Sequence, residues 1–271
     1  MMKDITIGQY IDGESPIHKM DARVKILASL AFIVILFVIG GVWQYAAVTV
    51  FLAAAVRLSG VGLKYILRGL KPMLFLLAFT VMLNVFMTPG ESLVEFPLFS
   101  WTLHITREGV IMGVYMMLRL IYLVIATSLL TLTTSPLMLT DGIEKLLIPY
   151  SVIKVPAHEI AMMMTIAIRF IPTLAEEADK IMKAQTARGA DFESGSIIRR
   201  AKAMIPLLVP LFVSAFKRAD DLATAMDARC YRGGSGRTRM KVMKMSRYDA
   251  YAGAAFAILI AILIATRIAF R

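Results

Sequence analysis

No charged residue occurs between Ile26 and Val56. A helix needs about 20 apolar residues to cross the ~30 Å of bilayer hydrocarbon, so this run is too long for one ordinary crossing. Gly40-Gly41 stands near its middle and Trp43-Gln44 follows, a pattern that suits a turn at a membrane interface. Lys19, Arg23 and Lys25 flank one end of the run, and Arg57, Lys64, Arg68 and Lys71 flank the other. Both ends therefore favour the same, cytoplasmic side, and the run reads as a tight hairpin of two membrane helices. Composition agrees: 58% of the 271 residues are hydrophobic, more than a soluble domain of this length requires.

Two further helices are expected from about Pro72 to Met87 and from about Val110 to Thr133, and a last crossing from about Tyr251 to Ile268. Residues 88–109 carry Glu91, Glu95 and Glu108 with Arg107 as the one basic side chain, so they read as an external loop broken by Pro89-Gly90 and Pro97. Its Phe96 to Ile105 stretch is apolar enough to fold back onto the membrane surface. With the N-terminus inside, five crossings leave the C-terminus outside. Arg119 falls near the middle of the fourth helix, where insertion scales put its cost at about 2.5–3.5 kcal/mol. It either meets a partner or a carboxylate, or faces a polar pocket between helices and fixes their packing.

The net charge of +11 belongs on the cytoplasmic side of a membrane protein, facing anionic lipid or acidic partners. Much of it lies between Ser135 and Arg247, which hold 18 Lys+Arg and 11 Asp+Glu. Two apolar stretches here, Ile160–Leu174 and Met204–Phe216, are short, and the first contains Arg169. If both crossed, Lys180, Lys183, Arg188, Arg199, Arg200 and Lys202 would sit in one short external loop, against the positive-inside bias. The expected organisation is a membrane region over 1–134, a cytoplasmic module over 135–247 and a C-terminal membrane helix over 248–271. The fold class is an all-α integral membrane protein, with about five transmembrane helices and a three-helix cytoplasmic module.

Within that module, Ser135 is a plausible N-cap for a helix from Pro136 to about Leu147. A second helix is expected from about Pro156 to Arg188, with an apolar stripe that includes Ile160, Met164, Ile171 and Leu174. A third, from about Ser196 to Arg229, carries Met204, Leu208, Leu211 and Ala215 at similar spacing. These are faces for packing against other helices, and Pro172, Pro206 and Pro210 should bend the rods. Their ends repeat. Ala178, Ala184, Ala187, Arg188 and Gly189 recur forty-one residues later as Ala219, Ala225, Ala228, Arg229 and Cys230. Each arginine could simply oppose a helix C-terminal dipole. Capping alone, however, does not ask for matched small residues that let another surface approach.

Several function classes find no support. There is no G-x-x-x-x-G-K-[ST] phosphate cradle, and Gly233-Gly234-Ser235-Gly236 is followed by Arg237. His18, His104 and His158 are scattered and suit interfacial or capping positions better than a metal site. Neither G-x-S-x-G nor H-E-x-x-H occurs, so no catalytic residues are expected. Cys230 is the single cysteine, which rules out an intrachain disulfide framework. No zinc-finger or RNA-binding signature accompanies the basic charge, so no nucleic-acid partner is expected. The charged residues among the first 25 argue against a cleavable signal peptide.

Ser15-Pro16-Ile17-His18-Lys19-Met20-Asp21-Ala22-Arg23-Val24-Lys25 resembles the N-terminal signature of the T component of energy-coupling factor transporters. Arg169-Phe170-Ile171-Pro172-Thr173-Leu174, the following Ala187-Arg188-Gly189, and Lys217-Arg218-Ala219-Asp220 through Ala228-Arg229 resemble its coupling module. The similarity covers nearly the whole chain and is greatest to the shared, vitamin-type group. It implies a four-part importer in which two ABC-type ATPases bind the T component. The T component in turn holds a small substrate-binding membrane subunit, the S component. The two long helices are then expected to cross beneath the membrane. Ala187, Arg188, Gly189, Ala228, Arg229 and Cys230 would seat in the ATPases. The faces with Ile160, Met164, Ile171, Leu174, Met204, Leu208, Leu211 and Ala215 would support the S component. The resemblance implies no cofactor bound directly, ATP being used by the partner ATPases. Ala22 stands where the family usually has Pro, and Cys230 where it usually has Gly, the residue best suited to a left-handed helix end. Alternative readings are a self-sufficient carrier or channel, or a T component dedicated to cobalt or nickel uptake.

Overall fold

The computed structural model describes residues 10–98, 101–149, 156–192, 194, 196–233 and 245–269. Its helices are α1 (Ala22–Val38), α2 (Val42–Ser59), α3 (Leu63–Leu70), α4 (Leu74–Met87), α5 (Arg107–Thr133), α6 (Pro136–Leu147), α7 (Ala157–Ala187), α8 (Ile197–Ala228) and α9 (Arg247–Ala269). A 3₁₀ turn, Lys71–Met73, joins α3 to α4, so the third helical run begins near Leu63 rather than Pro72. Pro72 falls in that turn, near a helix start, where its missing N–H costs little. The segment expected to be external forms an antiparallel hairpin, β1 (Ser92–Leu98) with β2 (Trp101–Thr106). The chain divides into two compact units, Ile143–Val242 and Gly8–Gly142 with Met243–Arg271.

Among the described residues, four runs are long and apolar enough to cross a membrane: Val42–Ser59, Leu63–Met87, Arg107–Thr133 and Arg247–Ala269. The α1 helix has 17 residues, at the short end of the spanning range. Phe32 and Leu36 of α1, Tyr45, Val48 and Leu52 of α2, Tyr122 of α5, and Leu259 and Leu263 of α9 form one buried core. Tyr45 stacks on Tyr115 with ring centroids 4.7 Å apart. The α4–α5 contact is set by Gly109 and Gly113, a small-xxx-small pair that lets two backbones approach. A Cβ on Gly109 would lie 2.7 Å from the Asn84 carbonyl oxygen.

The N-terminal signature acquires a physical purpose in this unit. Asp21 caps α1 by accepting from the Arg23 amide at 2.9 Å, and the Arg23 guanidinium grips the same carboxylate through Nε and Nη2. Burial pushes the Asp21 carboxyl up, but its hydrogen bonds to Arg23 outweigh burial and hold it below its ordinary value. This contribution is present above about pH 4 and is lost as pH falls through the lowered value. Ala22 occupies the first helical position, where proline is favoured generally. His18 ties the preceding turn through Ser15 Oγ at 2.6 Å and the Ile11 carbonyl at 3.0 Å.

Lys25, only 6% exposed, donates to the carbonyl of Thr133 at 2.8 Å and that of His18 at 3.2 Å. Thr133 is the last residue of α5, so the ammonium closes that helix end. Ser246 and Asp249 form a reciprocal box at the start of α9. The Ser246 hydroxyl accepts from the Tyr248 amide at 3.0 Å, and Asp249 accepts from the Ser246 amide at 2.6 Å. The other oxygen of Asp249 accepts from the Asp21 amide at 2.8 Å, tying together the starts of α1 and α9.

Arg119 also closes a helix end. Its Nη2 donates to the carbonyl of Ile39, the C-cap of α1, at 3.2 Å. Its guanidinium lies 5.6 Å from the Phe37 ring centroid. Of the two roles open to Arg119 from the sequence, the structural one is therefore supported: it fixes the α1–α2 turn against α5.

Asp249→Ala removes two hydrogen bonds to a carboxylate and should cost about 2–3 kcal/mol, seen as a lower thermal midpoint of the purified protein in detergent. Gly109→Val should destabilise the α4–α5 pair and lower the same midpoint, whereas Gly253→Val, whose Cβ would meet nothing within 4 Å, should leave it near the wild-type value.

Candidate functional site

The candidate site lies in the unit Ile143–Val242 and is built on α7 and α8. Ser196 caps α8 by accepting from the Arg199 amide at 3.4 Å, and each rod runs on for more than 30 residues. Both helices continue through their prolines. Pro172, Pro206 and Pro210 lack N–H groups, so the carbonyls of Ile168, Lys202 and Pro206 lose their usual helical donors.

The two rods end in the same backbone motif. At the end of α7, the amide of Gly189 donates to the Thr186 carbonyl at 2.9 Å and that of Ala190 to the Gln185 carbonyl at 3.0 Å. At the end of α8, the amide of Cys230 donates to the Asp227 carbonyl at 2.9 Å and that of Tyr231 to the Met226 carbonyl at 3.0 Å. Both are Schellman ends with arginine at the C-cap and a left-handed residue after it. Gly189 has φ +90° and Cys230 φ +54°. Cys230 thus adopts the left-handed conformation despite its Cβ, contrary to what the residue type alone suggests.

The side chains at these ends are available. Ala187, Arg188 and Gly189 are exposed, as are Ala228, Arg229 and Cys230. Backbone amides already occupy the carbonyls of Gln185, Thr186, Met226 and Asp227, so neither guanidinium is needed to close its helix. Each instead presents a charged planar fork at the tip of a rod, suited to bidentate hydrogen bonding with carboxylates.

The apolar stripe is half covered. Met164, Ile171, Met204 and Leu208 are exposed, while Ile160, Leu174, Leu211 and Ala215 are partly buried. Sequence periodicity understates this surface: Ile205, Val209, Phe212, Val213 and Phe216 are also exposed. The signal is the uncharged stretch Met204–Phe216 already noted in the sequence, which carries apolar side chains well beyond one stripe of α8, the mark of a helix covered by something else.

Two polar links inside the unit escaped sequence reading. Glu177 on α7 accepts from Ser214 Oγ at 2.6 Å and from Arg218 Nη2 at 3.0 Å, both on α8. The Ser214 hydroxyl, and after it the Arg218 guanidinium, hold the Glu177 carboxyl below its ordinary range. His158, in the first turn of α7, bonds Glu144 on α6 through Nδ1 at 3.1 Å and so ties those two helices together. His104 belongs to β2, where its side chain lies outside the described residues.

Cys230→Gly should relieve the left-handed strain of about 1–2 kcal/mol, offset by about 0.5–1 kcal/mol of added backbone entropy. A small net gain in thermal stability, with slower amide exchange at Tyr231, is the expected outcome.

A family model described as Cobalt transport protein (CbiQ) matches residues 13–241. The energy-coupling factor transporter transmembrane protein EcfT of Clostridium kluyveri is 58% identical over 269 residues, covering 99% of this chain and 98% of the relative. The protein of the same name from Thermosediminibacter oceani is 58% identical over 248 residues, 92% of each chain. That from Bacillus subtilis is 45% identical over 250 residues, 92% of this chain and 93% of the relative. This chain therefore belongs to the EcfT family, the transmembrane T components of energy-coupling factor transporters, and is a multi-pass protein of the cell membrane.

Proposed function

We propose that this T component is the scaffold and coupling subunit of an ATP-driven importer. It carries ATPase motion through Arg188 and Arg229 to a vitamin-binding membrane S component. The observation that carries this reading is the pair of identical Schellman ends, each leaving an exposed arginine that its own helix does not need. In this reading the N-terminus and residues 135–247 lie in the cytoplasm. Ala187, Arg188 and Gly189 enter a groove on one ABC-type ATPase, and Ala228, Arg229 and Cys230 enter the groove of the other. ATP is bound and hydrolysed by those partners, and this chain holds no cofactor of its own.

The exposed apolar residues of α7 and α8 support the second half of the proposal. Met164, Ile171, Met204 and Leu208, together with Phe212 and Phe216, form a surface that water disfavours and a membrane subunit would cover. Closure of the ATPases moves the arginine-tipped ends, and the rods tilt the S component resting on their apolar side. A self-sufficient carrier would place charges on several crossings, whereas Arg119 is occupied at the end of α1. The family model's description speaks of cobalt. The vitamin assignment follows instead the resemblance of residues 15–25 and of the two helix ends to the shared T components.

Losing one partner of a buried, charged hydrogen bond typically costs about 2–5 kcal/mol, or at least about 30-fold in affinity. Arg188→Ala with Arg229→Ala should leave the protein in the membrane but release both ATPases in a pull-down. It should also abolish uptake of labelled riboflavin by a transporter assembled with a riboflavin-binding S component. Lysine at both positions should rescue poorly, because it lacks the planar fork. Wild-type uptake by the double alanine variant would overturn the proposal.

A further inference from the structure

Glu177 bonds Ser214 and Arg218 together. Those two residues are four apart on α8 and so lie one above the other on the same face. Glu177 therefore straddles a single turn of α8. A slip of α8 by one turn, about 5.4 Å, would break both bonds at once.

The position of this cluster follows the internal repeat. Glu177 and Arg218 are 41 residues apart, the same interval that separates Arg188 from Arg229 and Ala178 from Ala219. The helices thus touch through the same position of each repeat. From that contact each rod continues eleven residues to its arginine, a rise of about 16 Å in both. Symmetry alone would set like against like at such a point, and two carboxylates or two guanidiniums would repel. Here one copy supplies the acid and the other the base. The hydroxyls differ too: Ser214 turns to Glu177, whereas its counterpart Thr173 donates to its own helix at the Arg169 carbonyl.

We propose that Glu177, with Ser214 and Arg218, is the register pin of the coupling module. These are positioning residues that hold α7 and α8 at the one contact from which the arms to Arg188 and Arg229 are equal. The inference rests on the coupling function proposed above, because equal arms matter only if both arginines are driven. Arg218 is held through Nη2, and its Nε is buried without a hydrogen-bond partner. The contact is one carboxylate of α7 against one turn of α8, which fixes the register between the rods. An intact pin lets the two ATPase-driven ends swing symmetrically. Without it, each arginine still docks, but the rods slide and the motion is not delivered to the apolar face.

Cys230 is the chain's single cysteine, so Ala190→Cys creates two label sites just beyond the two ends. Spin labels at 190 and 230 of the full chain should give one narrow distance distribution. Glu177→Ala, and separately Arg218→Gln, should broaden or displace it by about one helical turn, about 5 Å. In the transporter with its ATPases and riboflavin-binding S component, the same single variants should retain the ATPases in a pull-down. They should lose about tenfold or more of riboflavin uptake. Glu177→Arg combined with Arg218→Glu should restore both the narrow distribution and most of the uptake. A merely structural loss of packing would not be rescued by exchanging the charges. Distance distributions unchanged in both single variants would overturn the pin, even if the arginine double variant abolishes transport. If Glu177→Ala alters the distances while Arg188→Ala with Arg229→Ala transports normally, the pin stands and the coupling reading fails.

Discussion

Every α-helix leaves carbonyls without partners at its C-terminal end and amides without partners at its N-terminal end, and a low-dielectric surrounding makes each of them costly. The membrane unit answers this constraint with its few charged side chains. Lys25 closes the end of α5 at Thr133, and Arg119 closes the end of α1 at Ile39. Asp21 caps α1, and Asp249 serves the starts of both α1 and α9. The expensive charges of this unit are therefore tools of topology. They hold elements more than 200 residues apart in sequence by satisfying backbone groups that would otherwise oppose burial.

The long rods of the other unit meet the same requirement by different means. Their last carbonyls are satisfied by backbone amides in two Schellman ends, so the arginines at the caps are released from structural duty. That contrast separates Arg188 and Arg229 from Lys25 and Arg119. Lys25 and Arg119 reach from their own helices to the ends of others, whereas Arg188 and Arg229 stand at the ends of their own rods with their charge on display. The apolar stretch of α8 completes the logic of a part made to be covered, because residues such as Phe212 and Phe216 lie exposed where a finished surface would be polar.

Among the described residues, a side chain is held in the left-handed region at one place. Cys230 holds φ at +54°, where a side chain crowds the backbone, yet the Schellman bonds around it match those at Gly189. Two hydrogen bonds on carbonyls that need partners outweigh a left-handed penalty of about 1–2 kcal/mol. The repeat of the backbone motif is thus stronger than the repeat of residue types.

The uncharged run from Ile26 to Val56, the positive flanks and the glycine pair by themselves specified a helical membrane protein with a hairpin near its start. Hydrophobic length and charge are properties of the chain that no packing can change. The spacing of Ala187-Arg188 and Ala228-Arg229 likewise marked both rod ends, since helix period and end chemistry are local. Only tertiary structure decided what Arg119 does, why Asp21 and Lys25 belong to one signature, and that Asp249 completes it. It also decided that Glu177 meets its own repeat counterpart, and that Val209, Phe212, Val213 and Phe216 are left uncovered. Each of these depends on which distant backbone or side chain lies within about 3 Å, the reach of a hydrogen bond. Sequence periodicity carries a residue's face on its own helix, but not the identity of what stands opposite.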